Sequence, residues 1–182
     1  MRPYDLPVIG GTADSLIKYC NKSSGFDLKK LGLAGAFVAH GTNMEKAKSI
    51  ITNGIDMSYA VKGNLGKAFY LTPDYKYALN NYAKELGRVD DKNAVVMMAQ
   101  IDPAAKIVID GDGKKVTDDV LNNLGRDDIA AYMLLKGVDG VFMPATNELA
   151  IFNTSVIKFL GAFDADEIKV AQKKDISLSM SP

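Results

Sequence analysis

The chain is short of the residues that most often staple or switch a small protein. Of its 182 residues, one is a cysteine, Cys20, and one is a histidine, His40. A single cysteine excludes an internal disulfide and a cysteine-based structural zinc site. Net charge is also lacking, since 22 Lys and Arg balance 22 Asp and Glu. Such a balance leaves no global electrostatic footprint for nucleic acid or an anionic membrane, although it permits a local patch. No window reaches the roughly 18 apolar residues of a spanning helix. The start, Met1-Arg2-Pro3-Tyr4-Asp5-Leu6-Pro7, lacks the charged-then-apolar order of a cleaved signal peptide. The expected compartment is therefore the cytoplasm, or export or injection without a cleaved signal. Common catalytic signatures are missing as well: no Walker loop, no GxGxxG after a first strand, no GxSxG elbow and no HExxH.

What the chain does have is core. Apolar residues make up 47% and charged residues 24%, a globular balance that excludes a disordered or low-complexity chain. The length fits one domain spanning residues 1–182. Within it we expect an accessory segment over 1–32, a core over 33–163 and a loose polar tail over 172–182. The accessory segment holds one short helix, Asp14 to Cys20.

Gly35 to His40 reads as a buried strand. A helix follows, with Thr42 or Asn43 as cap, Glu45 in its first turn and Ala47, Ile50 and Ile51 on its apolar face. Asn53-Gly54 ends it in the left-handed manner. Residues 55–66 read as a loop, and Ala68 to Leu71 as a short strand. Thr72-Pro73 is expected to start a helix with Thr72 as cap. Tyr75, Ala78, Leu79, Tyr82 and Ala83 lie on one face of it, and Gly87 stops it. Strands are expected over Ala94 to Ile101, Lys106 to Asp110, Gly140 to Phe142, Glu148 to Phe152 and Val156 to Leu160. Helices are expected over Val116 to Leu124 and Asp127 to Leu135. The uneven alternation argues for an α+β domain over a repeating βαβ sheet.

Few residues carry chemistry. Gly63-Asn64-Leu65-Gly66-Lys67 has the wrong spacing for a phosphate loop, and a Cys20–His40 dyad pairs a nucleophile with a base only on paper. His40 closes an apolar strand just before a glycine. Tyr70 sits on a second strand, after Gly66-Lys67. Tyr82 lies one helix later. Glu148 opens a further apolar strand, where an acidic residue is out of keeping with its neighbours.

In this order the residues resemble the His-Tyr-Glu class of ADP-ribosyltransferases, of the poly(ADP-ribose) polymerase and diphtheria-toxin type. The resemblance rests on Phe37-Val38-Ala39-His40-Gly41-Thr42, on Gly66-Lys67-Ala68-Phe69-Tyr70-Leu71-Thr72 and on Asn147-Glu148-Leu149-Ala150-Ile151-Phe152-Asn153. It implies a split β-sandwich of two mixed sheets flanked by helices. NAD is the implied co-substrate, and no metal is implied. His40, Gly41, Thr42, Tyr70 and Tyr82 would bind it. His40 would hold the adenosine ribose, Gly41 would pair its backbone with the carboxamide, and Tyr70 and Tyr82 would sandwich the nicotinamide. Glu148 would hold the nicotinamide ribose and stabilise the positive charge that grows as the glycosidic bond breaks. His40, Tyr70 and Glu148 form the implied catalytic set.

Met57 and Tyr59 would lie in a donor loop over the dinucleotide. Met143, Thr146 and Asn147, in the loop before the glutamate, are candidate acceptor contacts. The chain departs from the family in two places. Asp74 to Leu79 contains no serine of the kind that often contacts the carboxamide. Placing Tyr82 opposite Tyr70 needs a one-residue shift, and Tyr77 is a rival. Thr146 stands where the arginine-specific branch has Glu or Gln, and His40 where that branch has Arg, which points away from arginine.

The expected activity is mono-ADP-ribosyl transfer to a macromolecular acceptor, protein or nucleic acid, in a toxin or effector setting with an immunity or antitoxin protein as candidate partner. No membrane partner is expected. Zero net charge disfavours a nucleic-acid acceptor, and Lys29-Lys30, Lys46-Lys48 and Lys173-Lys174 read as solvated faces. Alternatives are an NAD glycohydrolase, a silent NAD-binding or interaction module, and an unrelated domain in which His40, Tyr70 and Glu148 never meet.

Overall fold

Two sheets meet along one seam, and the chain's apolar runs decide which faces they bury. The computed structural model describes residues 33–60, 62–84, 93–110, 124–125 and 127–179, together with Asp14 and Leu16. The first sheet has the order β1–β5–β9 and is antiparallel throughout: β1 is Phe37–Asn43, β5 Ala94–Ile101 and β9 Ile157–Asp164. The second has the order β4–β8–β7–β6: β4 is Phe69–Leu71, β6 Ile107–Ile109, β7 Gly140–Met143 and β8 Glu148–Ile151. Its β6–β7 pair is parallel and the other two pairs are antiparallel. A small hairpin, β2 (Lys62–Gly63) with β3 (Gly66–Lys67), stands apart from both. The seam is a bridge from Ala39 to Thr72, with N–H···O distances of 2.7 and 2.9 Å. The molecule is thus an α+β protein, as the sequence led us to expect, but of the two sheets expected to be mixed only the second is, the first being antiparallel throughout.

β5 forms where the sequence is apolar without alternation, because both its faces are covered. Ala94, Val96 and Met98 pack with Tyr75, Ala78, Leu79, Phe163 and Ile168. Val95 and Met97 pack beneath Met44 and Ala47 of α1 (Met44–Asn53). Ala99 and Ile101 enter the inter-sheet core with Val38, Phe69, Leu71, Phe142, Leu149 and Ile151. Burying each such Val, Ile or Met side chain contributes about 1.5–3 kcal/mol. The far side of the second sheet is covered by α3 (Ile129–Leu135), through Ile129 and Met133 against Val141, Ala150 and Phe152.

Several expected boundaries move, each for a local reason. β1 runs on past His40 to Asn43, because its ladder with β5 continues to Ala94. Asn43 is the cap of α1, its Oδ1 accepting from the Lys46 N–H at 2.9 Å. Gly54, at φ 83°, ends that helix with its N–H on Ile50 O. Thr72 does not cap the next helix, since its backbone is committed to the bridge with Ala39. Asp74 caps it instead, accepting from the Lys76 N–H at 2.8 Å. That helix, α2 (Tyr75–Tyr77), passes directly into a π-helix over Ala78–Lys84, so the even 3.6-residue face expected from Tyr75 to Ala83 is not kept.

The largest difference is at the end. The sequence reads as a loose tail from 172, but α4 runs Ala165–Ser179 and buries Ile168 and Ala171 on the first sheet. Lys174 of this helix holds Asp14 at 2.7 Å, and Leu16 is fully buried in the same cluster. Cys20, Gly87 and the expected helix over 116–124, apart from Leu124, lie outside the described residues.

Candidate active site

The backbone alternation of β1 sets what each of its residues offers. Val38 faces the inter-sheet core and Ala39 the opposite side, so His40 returns to the face of Val38. There its ring lies on Phe69 of β4, with centroids 4.3 Å apart and planes tilted by 33°. Phe69 in turn meets Phe159 edge-on at 6.1 Å. Phe159 reaches that row because the β5–β9 register shifts between Met98 and Ala99, pairing Met98 with Gly161 and Ala99 with Phe159. The extra residue, Leu160, joins Phe163 on the helix-covered face and turns Phe159 to the other.

His40 Nδ1 lies 2.8 Å from the Tyr70 carbonyl oxygen. A carbonyl only accepts, so Nδ1 carries the proton and donates. Burial, together with the charge of Lys46, lowers the His40 pKa to about 4 against the partial offset of that hydrogen bond. The ring is therefore neutral near pH 7, and its Nε2 is a hydrogen-bond acceptor. Gly41 follows, buried in β1 opposite Val96. Ala39 directs its N–H and C=O to Thr72, so those of Gly41, two residues on, point to the same side, that of β4 and away from β5. Thr42 is 7% exposed.

Tyr70 is the middle residue of β4, opposite Ala150 of β8. Its side chain lies against the outer cluster of the second sheet, and its hydroxyl is gripped by the β2–β3 hairpin. The hydroxyl accepts from the Leu65 N–H at 3.1 Å and donates to the Gly66 carbonyl at 2.9 Å. Gly63 sits directly on the ring: a Cβ there would overlap Tyr70 at Cζ, Oη and Cε2. A side chain is excluded at that position for steric reasons alone.

Glu148 opens β8, half-buried and paired across the hairpin with Met143. The turn before it is closed by Thr146 N–H to Met143 O and Asn147 N–H to Pro144 O, both 3.3 Å. Asn147 takes the left-handed conformation, φ 55°, which asparagine tolerates better than most residues. The Glu148 carboxylate reaches the same β2–β3 hairpin as Tyr70, where Asn64 Nδ2 donates to Oε2 at 3.3 Å.

His40, Tyr70 and Glu148 are thus linked through a short chain of contacts, although they come from three strands. The remaining expected residues fare differently. Thr146 places its Oγ1 in a buried position without a partner, and Asn147 is half-buried. Met143, expected as an acceptor contact, is buried with Val141, Ala150 and Phe152, so it props the turn from beneath. Met57 packs on the inter-sheet core, whereas Tyr59 is 85% exposed. Tyr77 is half-buried at the end of α2. The side chain of Tyr82 lies outside the described residues. Sequence reasoning missed Phe69 and Asn64. The first looked like ordinary core and the second like an ordinary turn residue. Among the described residues, no group of three His, Cys, Asp or Glu is placed to hold a metal ion, and no helix is long and apolar enough to cross a membrane.

No family model matches the chain, and no curated protein matches its sequence.

Proposed function

We propose that the protein is an NAD-dependent mono-ADP-ribosyltransferase built on a split β-sandwich. The observation that supports this most is the convergence of His40, Tyr70 and Glu148: His40 rests on the Tyr70 carbonyl, and Tyr70 and Glu148 meet the same hairpin.

In this reading each group has a task that fits its surroundings. Neutral His40 accepts a hydrogen bond from a ribose hydroxyl at Nε2. The N–H and C=O of Gly41, turned off β5, bind the carboxamide of nicotinamide. The Tyr70 ring stacks on the nicotinamide, and its tethered hydroxyl holds the ring plane ready before substrate arrives. Offset stacking contributes about 0.5–1.5 kcal/mol beyond area burial. Tyr82 or Tyr77 provides the second ring. Glu148 accepts from the 2′-hydroxyl of the nicotinamide ribose. The bond from C1′ to the pyridine nitrogen breaks, and its electron pair leaves with neutral nicotinamide. The ribose gains oxocarbenium character, which the carboxylate favours over the ground state. The acceptor's nucleophilic atom then bonds to C1′ and gives up its proton, with Glu148 as the nearby base. The acceptor is a protein side chain or a nucleic acid. Thr146, with its unpartnered buried hydroxyl two residues before Glu148, is the best-placed residue of the loop to contact it.

The test is nicotinamide release from NAD by the purified protein beside Glu148→Gln. We expect release from the wild type and a loss on the order of 10² to 10³ in the variant. Labelled NAD in a cell lysate, divided by protease and nuclease, then assigns the acceptor class. Free ADP-ribose as the only product would make water the acceptor. Absence of both release and NAD binding would overturn the proposal.

A further inference from the structure

We propose that Asn64 is a positioning residue for Glu148, an assignment that rests on the transferase reading above. Asn64 sits at the tip of a two-residue turn, exposed, in a stretch that otherwise reads as a loop. A turn asparagine commonly bonds its own backbone or faces water. This one donates across 84 positions of sequence to a carboxylate oxygen.

That contact follows from how the hairpin is seated. Tyr70 grips the backbone just after Asn64, at Leu65 N–H and Gly66 C=O. Gly63 lies flush on the same ring, with no room for a side chain. Three contacts to one tyrosine therefore fix where the residue between Gly63 and Leu65 must be. That residue is Asn64, and its amide arrives at Oε2 of Glu148.

A glutamate needs such a partner more than an aspartate would. The backbone of Glu148 is set by its pairing with Met143 and by left-handed Asn147, but three side-chain torsions still separate that backbone from the carboxylate. A donor on one carboxylate oxygen fixes the plane and aims the group. Alignment of this kind acts on the chemical step, where small misplacement is costly. The 3.3 Å separation is at the long end for an N–H···O bond, and contacts of this type often tighten only when substrate is bound. The same hairpin thus holds the stacking ring and aims the carboxylate, so the two arrive in a fixed relation.

The experiment uses the full chain and follows nicotinamide release from NAD. Asn64→Ala should lower kcat about tenfold and leave KM for NAD within about twofold, the pattern of an interaction made in the transition state. Asn64→Gln, which keeps the amide on a longer stem, should recover to within about threefold of wild type. In a Glu148→Gln background Asn64→Ala should cost less than about twofold more, because a residue that acts through the carboxylate has nothing left to act on. An unchanged kcat in Asn64→Ala, or a tenfold loss that persists in the Glu148→Gln background, would overturn the proposal and leave the transferase reading intact. A wild-type protein that releases no nicotinamide would remove the transferase reading and the role of Asn64 with it.

Discussion

His40 contributes in its unprotonated form, which makes it a pH-sensitive component of stability. Its pKa lies at about 4 in the folded chain, against about 6.5 for an ordinary histidine. Between those values the unfolded chain binds the proton and the folded chain does not, so stability rises with pH across the window. The contribution is complete above about pH 6.5 and is lost as the pH falls to about 4. Its size is on the order of 3 kcal/mol. His40 is the chain's one histidine, so comparison with His40→Gln isolates it from the carboxylates. Denaturant unfolding from pH 7 to 4 should show the wild type losing about that much more than the variant. Equal losses would place the His40 ring in water. His40, Tyr70 and Glu148 were legible in the sequence because each sits in a recognisable local pattern. Phe69 and Asn64 were not, because the partners that give them meaning are 29 and 84 positions away, a relation only the fold creates.

Gly63 tests how firmly the β2–β3 hairpin is held. Gly63→Ala drives a methyl into the Tyr70 ring and should destabilise the protein by about 1–3 kcal/mol, the usual cost of overpacking. Thermal melting beside Asn64→Ala would check this, since Asn64 is exposed and should melt within about 0.5 kcal/mol of wild type. For α4 the corresponding pair is Ile168→Ala and Val170→Ala. Ile168 is fully buried and Val170 is 44% exposed. We expect about 2–5 kcal/mol for the first and under about 0.5 for the second in chemical denaturation. Equal effects would mean that α4 does not cover the sheet. The strength of the apolar signal decided which elements could be read in advance. β5 was plain because both of its faces are buried. α4 was hidden because its buried Ile168 and Ala171 stand among Asp166, Glu167, Lys169 and Lys173, a composition that also suits a solvated tail. The π-helix after Tyr77 left no local signature; its Ala78 and Leu79 pack with Ala39 of β1 and with Ala94, Val96 and Met98 of β5.

At the scale of the molecule, the uneven alternation of short strands and helices carried the α+β class, and composition added only an apolar core with balanced charge. Strand order did not follow from either. The first sheet joins β1, β5 and β9, and the second inserts β8 between β4 and β7. Apart from the β7–β8 hairpin these pairings are nonlocal, so no sequence window contains them. Their consequence appears in the order in which a ribosome releases the chain. β4, with Tyr70, leaves early and has no sheet neighbour apart from the bridge at Thr72. Its partner β8 follows about eighty positions later, by the pairing of Tyr70 with Ala150. The nascent chain therefore carries His40 and Tyr70 through a further 78 positions before Glu148 is added. Loop closure over that distance is slow and entropically costly. The carboxylate is the last of the three to be delivered, so the half-made protein is built without the group that the proposed chemistry needs most.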